Sequence, residues 1–270
     1  MSSGFLGGGV GPRAIGGRRS VASWTVTTTG AAAHTIAAFT VSDSTVVDWG
    51  DGSTSTYTGS GVRTHNYAGA GTWTVRVMQP LNVTALTMSD NKVTLNSADI
   101  KSMRNMITFQ ANGLKAGTFN SADVSAWRPT TFALHSMPAG YAGTFNSADV
   151  SAWRPTTFYL SYMPEGYIVT AGGGFAGWTT TADFQMQGNA LSQAIVDAIL
   201  WELYQASAAP RTVSGGTINL GGTNAAPSGT YQAVASPPVS GSTPGKEIAY
   251  ELRNDSLGLF NNWATVTITA

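Results

Sequence analysis

The chain has 270 residues, balances 14 Lys+Arg against 14 Asp+Glu, and contains no Cys. This length accommodates two domains, zero net charge gives no basic field for nucleic acid, and the lack of thiols excludes disulfides, thiolate catalysis and zinc–cysteine sites. Charged residues make up only 10%, against about 25% in ordinary globular proteins; Gly, Ser and Thr replace them, favouring strands and turns and a surface that tends to associate.

Residues 1–20 form a Gly-rich arm ending in Gly16-Gly17-Arg18-Arg19-Ser20. Glycine loses much conformational entropy on ordering, so we expect the arm to gain order by docking on a neighbouring subunit, with packing on its own chain as the alternative. Its docking side chains would be Phe5, Leu6, Val10, Arg13, Ile15, Arg18 and Arg19. The run Gly7-Gly8-Gly9-Val10-Gly11 has no preceding strand and no following Gly-Lys-Ser/Thr, so a phosphate loop lacks its context. No apolar run long enough for a signal peptide follows Met1. No stretch approaches the ~18 apolar residues of a membrane span.

Residues 21–80 alternate in strand fashion at Trp24–Thr27, Ala38–Val41, Thr45–Trp49 and Trp73–Val77, separated by Gly, Ser and Asp turns. That spacing is the mark of a β-sandwich. Pro80 closes the module.

Residues 81–270 begin with a repeat. Ala116–Met137 reads AGTFNSADVSAWRPTTFALHSM, Ala142–Met163 reads AGTFNSADVSAWRPTTFYLSYM, and a looser copy begins at Leu95-Asn96-Ser97. Short apolar pairs recur at Leu86-x-Met88, Ile107-x-Phe109, Phe132-x-Leu134, Phe158-x-Leu160 and Phe184-x-Met186. A repeat of this length with one strand per period predicts stacked turns of a solenoid. The paired residues point inward and those between them outward. The outward positions are Thr87, Thr108, Ala133, Tyr159 and Gln185, then Ser89, Gln110, His135, Ser161 and Gln187. Within them Gln110, His135, Tyr159, Ser161, Gln185 and Gln187 form a candidate ligand face for a glycan or a protein; a solvated face without a ligand is the equal alternative.

Val196, Ile199, Leu200 and Leu203 follow helical spacing between a candidate N-cap at Ser192 and Pro210, and are the one helix read over 189–209. Thr217–Leu220 and Trp263–Ile268 read as further strands around a Pro/Ser/Gly-rich stretch, Ala225–Gly245. An end cap is required, because an open end exposes core and strand edge.

Two resemblances extend these readings. Val47-Asp48-Trp49-Gly50-Asp51-Gly52-Ser53, His65-Asn66-Tyr67 and Gly71-Thr72-Trp73-Thr74-Val75 together resemble the PKD family of immunoglobulin-like domains, which implies a spacer or adhesion module. Phe119-Asn120…Val124-Ser125-Ala126-Trp127…Met137 and its copy Phe145-Asn146…Trp153…Met163 resemble BspA-like leucine-rich repeats of bacterial surface proteins. The departure is Arg-Pro at 128–129 and 154–155. The segments Leu191–Leu203, Gly216–Ala226 and Trp263–Thr269 are similar to the closing segment of leucine-rich proteins of tailed bacteriophages.

Candidate chemistry is sparse. Asp43, Asp48 and Asp51 lack EF-hand spacing and read as turn formers rather than calcium ligands. His34, His65 and His135 are far apart, and His65 falls in the structural H-x-Y position. Asp123 and Asp149 occupy equal repeat positions, whereas catalytic carboxylates need unequal environments. The expectation is a mostly β chain: an immunoglobulin-like β-sandwich followed by a short leucine-rich-repeat-type solenoid with a C-terminal helix and cap. Its expected role is a non-enzymatic structural or adhesive protein of a tailed-phage virion, such as a tail, fibre or tip component. A capsid decoration protein and a bacterial surface adhesin are the alternatives. The expected partners are other virion proteins and a host-surface glycan or protein. No cofactor, metal, nucleic acid or membrane insertion is expected, and a homo-oligomeric or larger assembly is.

Overall fold

The computed structural model describes residues 20–209, 211–238, 241–258 and 262–270. The arm side chains named above, Phe5 to Arg19, lie outside these residues. Strand makes up 38% and helix 18%, so the fold is mostly β, as expected.

The first four strands are β1 (Ala22–Thr28), β2 (Ala32–Asp48), β3 (Thr54–Tyr67) and β4 (Gly71–Val77). β1 pairs with β4 and β2 with β3, both antiparallel. The two strands expected at 38–41 and 45–49 form one 17-residue strand bent by irregularities in its register. β3 escapes a sequence reading because its row TSTYTGSGVRTHNY is largely exposed and carries no apolar alternation. The buried faces of β1, β2 and β4 pack Trp24, Val26, Ile36, Phe39, Val47 and Val75 into the core.

Residues 83–170 then supply two strands per repeat rather than the one expected. One set is β5 (Val83–Met88), β7 (Thr108–Asn112), β9 (Thr131–His135) and β11 (Thr157–Ser161). The other is β6 (Val93–Asn96), β8 (Ala116–Asn120), β10 (Ala142–Asn146) and β12 (Ile168–Thr170), with a short helix α1 (Ser97–Ile100) after β6. Each set forms its own parallel ladder. The first ladder continues through β13 (Asp183–Gln185), β14 (Thr217–Leu220) and β15 (Thr265–Ile268). The second set hides from an apolar count because β8 and β10 each bury a single large side chain, Phe119 and Phe145.

The phase expected at residue 107 is corrected. Leu86 pairs with Phe109, and Phe109 with Phe132. Ile107 is therefore not an inward residue: it precedes β7, donates its N–H to Thr84 and is half exposed. The inward pair is Phe109 and Ala111, and Gln110 aligns with Ala133 and Tyr159 rather than with His135. Phe109, Phe132, Phe158 and Phe184 then stack in one column, with successive ring centroids 5.7, 5.6 and 5.3 Å apart. Trp127, Trp153 and Trp178 line its side.

The antiparallel strands run directly into both ladders. β1 pairs with β6, and β2 with β5. One continuous buried cluster extends from Ala22 to Trp263. The far end of the second ladder is covered by α2 (Gln193–Ala208), which starts after Ser192 as expected. A second helix, α3 (Gly245–Asn254), was not expected, because its position followed a Pro/Ser/Gly-rich stretch. It buries Ile248, Ala249 and Leu252 and packs on α2 and β15.

Candidate functional site

Residues between the inward positions of the first ladder face outward. Five of the six side chains expected to form a ligand face line one depression of about 290 Å³: His135, Tyr159, Ser161, Gln185 and Gln187. Ser136 and Tyr162 complete its wall. Gln110 does not join them; its side-chain carbonyl accepts from Thr87 Oγ1, one repeat away from Tyr159's other neighbours.

The two missed residues, Ser136 and Tyr162, owe their position to the backbone. After β7, β9, β11, β13 and β14 the chain turns through a left-handed residue: Gly113, Ser136, Tyr162, Gly188 and Gly222 have φ of 54°, 55°, 54°, 72° and 77°. Glycine adopts this region freely, whereas another residue there costs about 1–2 kcal/mol. Three repeats carry Gly at this point and two do not, and both exceptions border the depression. The ring of Tyr162 lies across Gly188, where an added Cβ would come within 2.5 Å of the ring. Tyr162 is 56% exposed. A sequence signal existed: residues 113, 136, 162, 188 and 222 follow the same spacing as the Phe column, and Gly at three of them marks the turn.

The polar groups of the depression are fixed by neighbours. The hydroxyl of Tyr159 donates to Asp183 Oδ2, and Gln185 Nε2 donates to Asp183 Oδ1 at 2.8 Å, so both carboxylate oxygens are occupied. The hydrogen bond to Asp183 raises the Tyr159 phenol to about 12, with burial and the nearby negative charge adding to it. Ser161 Oγ lies 3.1 Å from Gln187 Oε1 and 3.2 Å from the carbonyl of Gln185. His135 Nδ1 lies 3.2 Å from Ser136 Oγ, and burial lowers the imidazole pKa. Among the described residues no hydrogen-bond partner reaches Gln185 Oε1 or Gln187 Nε2.

The other charged groups singled out from the sequence are tied into the scaffold. Asp48 accepts from Gly50 N–H, and Asp51 accepts from Ser53 N–H and Oγ, as turn-forming aspartates do. Asp43 accepts from Ser44 N–H. His65 Nε2 meets Asp51 Oδ2 at 2.7 Å and stacks on Trp49. Trp24 Nε1–H donates to His34 Nε2, which assigns the ring proton to Nδ1, 2.8 Å from Asp90 Oδ2. Asp90 Oδ1 meets Lys92 Nζ at 2.7 Å. Asp90 borders a wider hollow of about 500 Å³, but both its oxygens are already engaged.

Asp123 and Asp149 each serve the repeat before their own. Ser97 Oγ donates to Asp123 Oδ2 and Ser121 Oγ to Asp149 Oδ2, both at 2.6 Å. The third serine of this series, Ser147, finds no further repeat aspartate; Glu202 of α2 takes its place at 3.2 Å. Glu202 also accepts from the backbone N–H groups of Gly173 and Phe175. Arg128 and Arg154 close the Arg-Pro turns by donating to the carbonyls of Ser125 and Ser151.

Comparisons with protein-family models, curated proteins and solved structures give no match.

Proposed function

We propose that this chain is a non-enzymatic adhesive and structural protein of a tailed-phage virion, holding to the particle by its N-terminal arm and turning the outward face of its first ladder to the host surface. In the finer fold reading, the antiparallel strands of residues 21–80 are a PKD-like, immunoglobulin-like sandwich and the repeats a short leucine-rich-type solenoid. The two parallel ladders, advancing one repeat at a time, support the second part. The antiparallel pairs β1–β4 and β2–β3 support the first.

One observation carries the functional reading: five outward side chains from three successive repeats line a single depression, with an exposed tyrosine held over it in a left-handed conformation. A face serving only solvation has no use for that costlier backbone. The attachment to a virion rests on the sequence resemblances. The test is competition. Soluble full-length chain in excess should block adsorption of particles to their host, and a chain lacking residues 1–20 should still block it while no longer associating with particles. A full chain that binds neither cells nor particles overturns the proposal.

A further inference from the structure

We infer that the depression between Tyr159 and Tyr162 is a subsite for an uncharged sugar ring. The inference rests on reading this face as a binding surface and names the chemistry it binds.

The lining is the starting point. It consists of two phenol rings, two planar amides, a serine pair and one imidazole, with no Lys, Arg, Asp or Glu among them. The adjacent carboxylate, Asp183, has both oxygens engaged by the lining itself. Burial lowers the pKa of the His135 imidazole and so disfavours its charged form. An acidic sugar, a phosphate or an acidic peptide would enter this space beside the Asp183 carboxylate with no cation in the lining to offset it, which is costly when partly desolvated. A sugar ring brings no charge, an apolar face of C–H groups, and hydroxyls that both donate and accept.

The open valences match that chemistry. Gln185 Oε1 is a free acceptor, the Gln187 amide keeps one polar group free beside its bond with Ser161, and both residues line the depression. Their partners hold them in place: Asp183, which can only accept, fixes the Gln185 amide with its Oε1 outward, and Ser161 anchors the Gln187 amide by one of its two polar groups. Tyr162 supplies the exposed ring on which a sugar face would stack, and it lies directly beside these amides. The volume of about 290 Å³ sits at the lower bound of small-molecule sites. It suits one or two rings.

The backbone explains why a test can separate binding from folding. Tyr162 stands where Gly is the unstrained choice. Tyr162→Gly therefore keeps the turn, and Gln187→Ala removes only a half-buried amide and its bond to Ser161.

The experiment uses the full chain with a panel of neutral oligosaccharides of glucose, galactose, mannose and N-acetylglucosamine, beside sialylated and glucuronate-bearing counterparts, read by saturation-transfer NMR and calorimetry. The expected result is binding of at least one neutral sugar. Tyr162→Gly and Gln187→Ala should each weaken it tenfold or more, with Tm unchanged or higher for Tyr162→Gly. Binding confined to acidic sugars, no binding across the neutral panel, or binding indifferent to both substitutions overturns the inference. Labelled full-length chain on host cells separates this failure from that of the broader reading. Cell binding that survives periodate oxidation of surface sugars but not protease keeps the adhesive role and overturns the sugar. Sugar binding in solution with no cell binding does the reverse.

Discussion

Asp90, between β5 and β6, is held by His34 of β2 and by Lys92. Burial acts to raise its pKa, but the hydrogen bonds from His34 and from Lys92, side chain and backbone, outweigh it and hold the carboxyl well below its ordinary range. Asp51 is held at about 2 in the same way: burial raises it, and bonds from Ser53 and His65 more than offset that. For both groups the folded pKa lies below the unfolded value of about 3.9. Their contribution to stability is then complete above that value and is lost as pH falls through the folded pKa. The urea midpoint is expected to be flat from pH 7 to 5 and to fall below pH 4. Asp90→Asn should lower the midpoint at pH 7 and make the acid limb shallower; an acid limb identical to that of the parent would refute the assignment. At Tyr162 the expectation is opposite to the usual one for loss of a large side chain. Relief of the left-handed strain should leave Tyr162→Gly between zero and about 1 kcal/mol more stable, measured by chemical denaturation.

The repeating strands are held together by rules that act between neighbours, and these fail at the last repeat unless something substitutes. Along the second ladder, a serine of one repeat donates to an aspartate of the next, at Ser97–Asp123 and Ser121–Asp149. The same serines accept from the next strand's backbone, at Asn120 and Asn146 N–H. The repeat after Ser147 carries no aspartate at the equivalent point, and the helix α2 presents Glu202 in its place. The helix thus ends the ladder chemically as well as sterically, since Glu202 also takes up the N–H groups of Gly173 and Phe175. Glu202→Ala leaves three donors without their acceptor in a buried site. The expected loss is about 3 kcal/mol, seen in the denaturation midpoint, with Glu202→Gln losing less because one carbonyl oxygen remains. Equal stability of Glu202→Ala and the parent would show that α2 covers the ladder through apolar packing alone. Glycine has an equally local task in the repeats. Gly117 and Gly143 pass so close to the preceding strand that a Cβ would lie 2.0 Å from the carbonyl oxygens of Leu95 and Phe119, which explains the Ala-Gly-Thr-Phe-Asn run in both copies.

For the whole molecule, the decisive feature is where the antiparallel strands end. β1 and β2 each pair with a strand of the first repeat, and Asp90, between β5 and β6, is bonded to His34 of β2. The exposed end of both ladders is therefore covered by hydrogen-bonded neighbours rather than by a detached module. Residues 21–80 and 81–270 are expected to unfold in one transition, with coincident loss of near- and far-UV circular dichroism and a calorimetric enthalpy equal to the van't Hoff value. Two resolved transitions would show that the strand bonds across residue 80 do not couple the two parts. At the other end, among the described residues, β15 pairs on one side only, with β14, and is flanked by α3.

The sequence alone determined what depends on local chemistry and on period. Strand-forming runs at Trp24, Val47, Phe132, Phe158 and Phe184, the helix after Ser192, the turn roles of Asp48 and Asp51, and the outward alternation that placed five of the six ligand-face residues together were all legible, because side-chain direction in a strand follows from parity. Register and pairing were not. Ile107 and Phe109 are both apolar and two residues apart, so parity could not choose the phase; only the pairing of Leu86 with Phe109 did. The second ladder, β3 and α3 were hidden because their burial is supplied by neighbours distant in the chain rather than by a periodic apolar pattern of their own. Tyr162 was missed for the same reason. Its exposure depends on a left-handed turn in line with Gly113, Gly188 and Gly222, and on Gly188 leaving room for the ring, which are relations between repeats that exist only once the strands are stacked.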